Sequence, residues 1–163
     1  MLVVSDSSAL SNLALIGRLD LLREQFTKIL IPTAVSRELP VLPDEAARLV
    51  LGMAVGEGWL VEKPLPGGVP NPHELQGLDP GETETLRLAL AISADRVLMD
   101  ERDGRRRVEA LGIRAIGVLG VLLSAKRSES IASLKMEMTR LRDEAGFFIS
   151  RGLERQVLAM AGE

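Results

Sequence analysis

Leu2-Val3-Val4-Ser5-Asp6 opens the chain with an apolar run that stops at a carboxylate, and Val97-Leu98-Met99-Asp100 repeats the pattern. Short aliphatic runs of this kind, bounded by polar residues, read as buried strands. In an open parallel α/β sheet, ligands bind in the crevice outside the carboxyl ends of the strands. The two strand-end acids are therefore expected to share one pocket. Clustered carboxylates repel each other unless something positive sits between them. A divalent metal ion is the usual answer.

Outward from these runs, strand and helix alternate. Ser7 or Ser8 caps a helix running to about Ile16, with Leu10, Leu13 and Ala14 on one face, and Gly17 breaks it. A short helix over Arg18–Phe26 leads to a second strand, Lys28–Ile31. Pro32 suits the first position of a helix that ends before Pro40. A helix over Pro43–Val55 and a short strand at Trp59–Val61 follow. Residues 63–78 hold four prolines and three glycines and read as a long, mobile loop. Asp79-Pro80-Gly81-Glu82 starts the next helix, and Arg96–Met99 and Arg114–Ile116 are further strands around a helix at Asp103–Leu111. Three more helices, at about 118–127, 130–145 and 149–161, finish the chain. The alternation predicts α/β architecture, a mostly parallel sheet with crossover helices, in one domain over residues 1–163.

Composition narrows the chemistry. The chain has 163 residues, 46% of them hydrophobic, enough for a proper core built mainly from aliphatic side chains. No run approaches the roughly 18 apolar residues of a membrane span, and no leader pattern opens the sequence, so no membrane partner and a cytoplasmic location are expected. The absence of cysteine excludes disulfides, thiolate metal sites and cysteine nucleophiles. The net charge of −3 does not advertise nucleic-acid binding, yet Arg102, Arg105, Arg106 and Arg107 crowd behind Asp100. An acidic metal pocket flanked by arginines can handle phosphodiesters without an overall basic balance; a solvated helix face explains the same residues.

The acids carry different weights. Asp6 could cap the helix after it, but Ser7 and Ser8 make that cap redundant, which favours chemistry. Glu38 lies in the last turn of its helix, where the macrodipole disfavours an anion by ~0.3–1 kcal/mol. Glu82, three residues after Asp79, fits a capping box. Glu84 is its alternative, about 200° further round the helix and on another face. Asp103 reads as an ordinary N-cap of the arginine helix, leaving Asp100 for chemistry, and His73 has no ligand-spaced partner.

In this order the segments resemble PIN domains. They are Val3–Leu13 with Ile16–Leu22, Ile31–Val35 leading to Glu38, Leu78–Glu84, Leu98–Arg102 leading to Gly104-Arg105-Arg106, and Gly117–Leu123 before Ala125-Lys126. The likeness is greatest to the DUF3368 branch, which is similar to VapC-type toxins, and it spans nearly the whole chain. It implies a PIN-like α/β/α sandwich and a metal-dependent endoribonuclease, the toxin of a toxin–antitoxin pair. The family's four acids fall on Asp6, Glu38, Glu82 and Asp100, as catalytic residues and as ligands of Mg²⁺ or Mn²⁺. Glutamate at the third position, and Leu98 in place of the threonine two residues before the fourth acid, depart from the commonest pattern.

Within that resemblance Asp6 and Asp100 hold the central metal, with Glu38 and Glu82 around it. Arg102 or Arg105 steadies the scissile phosphate, while Ser7 and Asn12 orient ligands or water, or serve as a cap and a surface residue. RNA as substrate, a small antitoxin and a homodimer are the expected partners. The competing expectation is a PIN-like binding module with little or no turnover. Dehalogenase-like and receiver sites fit poorly, since Ser8 stands where the former needs a second aspartate and the latter needs adjacent acids at the strand end.

Overall fold

The computed structural model describes residues 1–163. Five three-residue strands, β1 (Val3–Ser5), β2 (Ile29–Ile31), β3 (Leu60–Glu62), β4 (Arg96–Leu98) and β5 (Arg114–Ile116), form one sheet in the order β3-β2-β1-β4-β5. Every pairing is parallel. Nine helices connect and cover it: α1 (Ser7–Leu15), α2 (Asp20–Phe26), α3 (Thr33–Glu38), α4 (Glu45–Gly56), α5 (Pro80–Ala91), α6 (Arg102–Ala110), α7 (Val118–Arg127), α8 (Leu134–Ala145) and α9 (Arg151–Ala161).

Strand alternation sends successive side chains to opposite faces, and both faces are apolar. Val3, Ile29, Ile31 and Leu98 join the larger core with α1, α2, α4 and α7 to α9. Val4, Val97 and Met99 pack instead against Leu86, Leu88 and Ala89 of α5 and Val108 of α6. Burial on both faces requires helices above and below, which gives the three-layer sandwich. No helix is long and apolar enough to cross a membrane.

The chain builds β1, β2 and β3 in one direction and then crosses back to lay β4 on the other side of β1. The topological switch point therefore lies between β1 and β4, where crossovers diverge and leave a crevice. Ser5 pairs with Leu98 in register, so both strands end together. Asp6 follows β1 at once, and Asp100 follows β4 after Met99.

Several local expectations need correction. Asp6, not Ser7 or Ser8, is the N-cap of α1, its Oδ1 accepting from the Ala9 amide at 3.0 Å. The side chain already at the strand end reaches the third helical amide, so neither serine hydroxyl is needed for the cap. Pro32 is the N-cap of α3 rather than its first residue. Asp103 is not the cap of α6: Glu101 takes that position, without a side-chain bond, and Asp103 pairs weakly with Arg106 across 3.7 Å on the exposed face. The 63–78 connection has more order than its composition suggests. It contains a 3₁₀ turn at His73–Leu75, buries Leu75, and is tied down where Arg87 donates to the carbonyls of Val69 and Pro70. The second C-terminal helix starts at Leu134, capped by Ser133, rather than near 130.

Candidate active site

The site grows from helix N-termini that converge on the carboxyl edge of the sheet. Asp6 opens α1, Gly81 and Glu82 lie in the first turn of α5, Gly104 in that of α6, and Gly117 caps α7. Each N-terminus presents unpaired amides and a partial positive charge. Anionic side chains are stabilised there, and those of this chain are the acids in question.

Asp6 is nearly fully buried. One carboxylate oxygen is committed to the Ala9 amide, while Oδ2 is buried with no partner at all. Burial pushes its pKa up to about 8, aided by the charges of Asp100, Glu82 and Asp79 and opposed by the bond from Ala9. Asp100 has the same construction. Its Oδ1 accepts from the Val118 amide at 2.8 Å and its Oδ2 is buried without a partner. Burial raises its pKa, against the Val118 bond, the nearby Asn12 amide and the Arg105 charge. Asp6 and Asp100 are thus one-handed carboxylates, each fixed by a helix N-terminus through one oxygen with the other left over. They are the only buried side-chain polar atoms in the molecule without a partner, which is a costly condition unless a ligand completes them.

Glu38 reaches the same edge from the end of α3. Its Oε2 accepts from the Ser7 hydroxyl, which gives Ser7 a positioning contact in place of the cap. The carboxylate lies over Gly81, where a Cβ would stand 2.7 Å from Oε1. Glu82 completes the expected capping box: its backbone donates to Asp79 Oδ1 at 2.7 Å, and its Oε2 accepts from the Asp79 amide at 3.2 Å. Its remaining oxygen points toward Gly104, 3.4 Å from where a Cβ would be. Burial raises the Glu82 pKa, and Asp79, Glu101 and Asp103 add to the effect. Glu84 diverges as the helical angle requires, its Oε2 accepting from the Ala34 amide at 2.9 Å at the start of α3.

Of the arginines, Arg105 is half-buried and turned toward the site. A Cβ at Gly117 would meet both Arg105 Nη1, at 2.6 Å, and Asp100 Oδ1, at 2.7 Å. Arg102 is exposed, and so is His73. The glycines were missed from the sequence. Glycine inside a helix costs about 1 kcal/mol relative to alanine, so Gly81 and Gly104 in first turns were readable as close approaches.

No three Asp, Glu or His side chains meet closely enough to enclose a metal ion by themselves. Two carboxylates with free oxygens do suit Mg²⁺, which is commonly held by one or two carboxylates and keeps several waters. The hard-oxygen donor set also suits Mn²⁺ and excludes soft-metal chemistry. The orphaned Asp6 and Asp100 oxygens therefore fit such a cation.

Residues 2–163 match the DUF3368 family model, described as a PIN domain. The chain belongs to this PIN-domain family. PIN domains are generally nucleases, typically use divalent metals, and bind nucleic acid. A search of curated proteins gives no match.

Proposed function

We propose that this PIN-domain protein is a metal-dependent endoribonuclease, with Asp6 and Asp100 as the central ligands. The observation that carries the reading is the pair of buried, unpartnered Oδ2 atoms at the sheet's switch point. A bound Mg²⁺ or Mn²⁺ supplies Lewis acidity toward a phosphodiester and lowers the pKa of water. The protein's own part is orientation. Ala9 and Val118 each hold one oxygen of an aspartate, leaving the other as the atom that would hold the cation. Ser7 steers Glu38, and Asp79 steers Glu82, toward the same edge, where they orient water for attack on phosphorus. Arg105, drawn to Asp100 in the free protein, is placed to meet the phosphate as the phosphorus–oxygen bond to the leaving group breaks. Arg102 is the outer phosphate contact.

Further features belong to the same proposal. The resemblance to VapC-type toxins supports a toxin restrained by a small antitoxin and paired with a second copy, acting in the cytoplasm as one domain. Val41, Leu49, Val50, Met53 and Val55 expose apolar surface in and beside α4, of the kind a protein partner covers.

Two observations favour the second reading, a binding module with weak turnover: Glu82 is engaged in a cap, and no three acids cluster. Cleavage of RNA by the wild type and Asp6→Asn, with Mn²⁺ and with chelator, separates the two. Metal-dependent cleavage lost in the variant supports the enzyme. RNA binding without cleavage under every condition supports the module.

A further inference from the structure

Arg96 and Arg114 begin β4 and β5 and are register partners on adjacent parallel strands. Partners in register lie roughly 4.8 Å apart at the backbone and project to the same side. Like charges set directly opposite destabilise a strand pair. Neither arginine forms an ion pair, although seven bridges are made elsewhere in the molecule. Both line a surface cavity of about 590 Å³ with Asp95, Gly112 and Ile113. The acid there is occupied, since Asp95 Oδ2 accepts from the Leu2 amide at 2.6 Å. Two arginines in register, without carboxylate partners and lining one open cavity, suit an anion.

The position of the pair suggests the anion. Arg96 precedes Asp100 by four residues of the same strand and its extension, so the pair lies ~13 Å from the carboxylates. β5, the edge strand of the sheet, runs from Arg114 toward the carboxyl edge where Arg105 approaches Asp100. Six of the chain's arginines fall within residues 96–114, in a protein whose net charge is −3. A spacing of ~13 Å corresponds to about four nucleotides at ~3.4 Å rise.

We propose that Arg96 and Arg114 bind the phosphate backbone of the RNA several nucleotides from the scissile bond, so that the substrate tracks along the β5 edge of the sheet. The inference rests on the ribonuclease reading and extends it to a strand long enough to cross from the carboxyl edge of the sheet to its amino edge. The pair is a substrate-binding element and takes no part in bond breaking.

The test uses Arg96→Gln/Arg114→Gln and Arg96→Lys/Arg114→Lys beside the wild type. Binding of a long single-stranded RNA is measured by anisotropy across salt concentrations, and cleavage of long and three-nucleotide RNAs is followed with Mn²⁺. Two lost phosphate contacts lower the salt slope by about 1.4 for a single strand. The glutamine variant is expected to show that loss, with KM raised several-fold for long RNA, kcat unchanged and the short RNA unaffected. The lysine variant is expected to recover the slope. A wild-type slope in the glutamine variant, with the wild type binding RNA, overturns the track and leaves the nuclease reading standing. Wild type that neither binds nor cleaves RNA overturns both.

Discussion

Asp100 is held against Gly117: a Cβ on that glycine would stand 2.7 Å from Asp100 Oδ1, the oxygen that accepts from the Val118 amide. The close approach is what allows the fourth acid to be fixed by the N-terminus of α7. Gly117 has φ −100°, which any residue adopts, so alanine there changes contact and not backbone strain. Gly117→Ala is expected to displace Asp100 and Arg105, cutting RNA cleavage at least tenfold while costing about 1 kcal/mol of stability, the scale of one hydrogen bond. Chemical denaturation beside a cleavage assay checks both; unchanged cleavage contradicts the positioning role.

Asp6 makes the metal-free protein pH-sensitive. Its pKa rises from 3.8 to about 8 on folding, so between these values the folded state holds a proton that the unfolded state has released. Stability from this group therefore falls as pH rises from about 4 to about 8 and is level outside that window. Asp6→Asn removes the effect and keeps the cap, since asparagine also accepts from the Ala9 amide. In chelator, the variant is expected to be more stable than the wild type at pH 8 and near it at pH 4. Parallel melting curves across pH are the measurement.

Glu82 and Glu84 separate by partner. Glu84→Gln keeps an oxygen for the Ala34 amide and is expected to cleave RNA like the wild type, with a small loss of stability at most. Glu82→Gln likewise keeps the capping bond yet loses the charge facing the site, and cleavage is expected to fall by more than tenfold. Equal rates for the two variants would remove Glu82 from the machinery.

The C-terminal helices have their own electrostatic fastening. Glu163 accepts from the Leu134 and Lys135 amides at 2.8 and 2.9 Å and pairs with Lys126, joining the end of α9 to the start of α8. The two amide bonds above all hold its pKa down to about 2. A depressed carboxylate contributes stability above its unfolded value of 4.5 and loses it as pH falls toward 2. Glu163→Gln is expected to lower the melting temperature at pH 7 and to narrow its gap to the wild type at pH 2.

Much of this was legible in the chain. Short apolar runs placed all five strands to within a residue at each end, because burial on both faces leaves few polar positions inside a strand. The Asp79–Glu82 box was readable because capping depends on local spacing alone. The cap of α1 was misread because Asp6 both caps and faces the site, and sequence treats those roles as rivals. The cap of α6 was misplaced by two residues, since Asp103 offers the right side chain but the turn begins at Glu101. The contacts of Ser7 with Glu38 and of Gly117 with Asp100 join residues far apart in the chain, and no local pattern encodes them.

Direct metal binding tests the central claim most closely. Calorimetric titration of Mn²⁺ into the wild type, Asp6→Asn and Asp100→Asn at pH 6 and pH 8 reads the site without depending on a chosen RNA. Saturable binding to the wild type, tighter at pH 8 because the cation no longer displaces the Asp6 proton, and lost in both variants, is the expected result. Binding that survives either substitution would contradict a metal centre built on the Asp6 and Asp100 carboxylates.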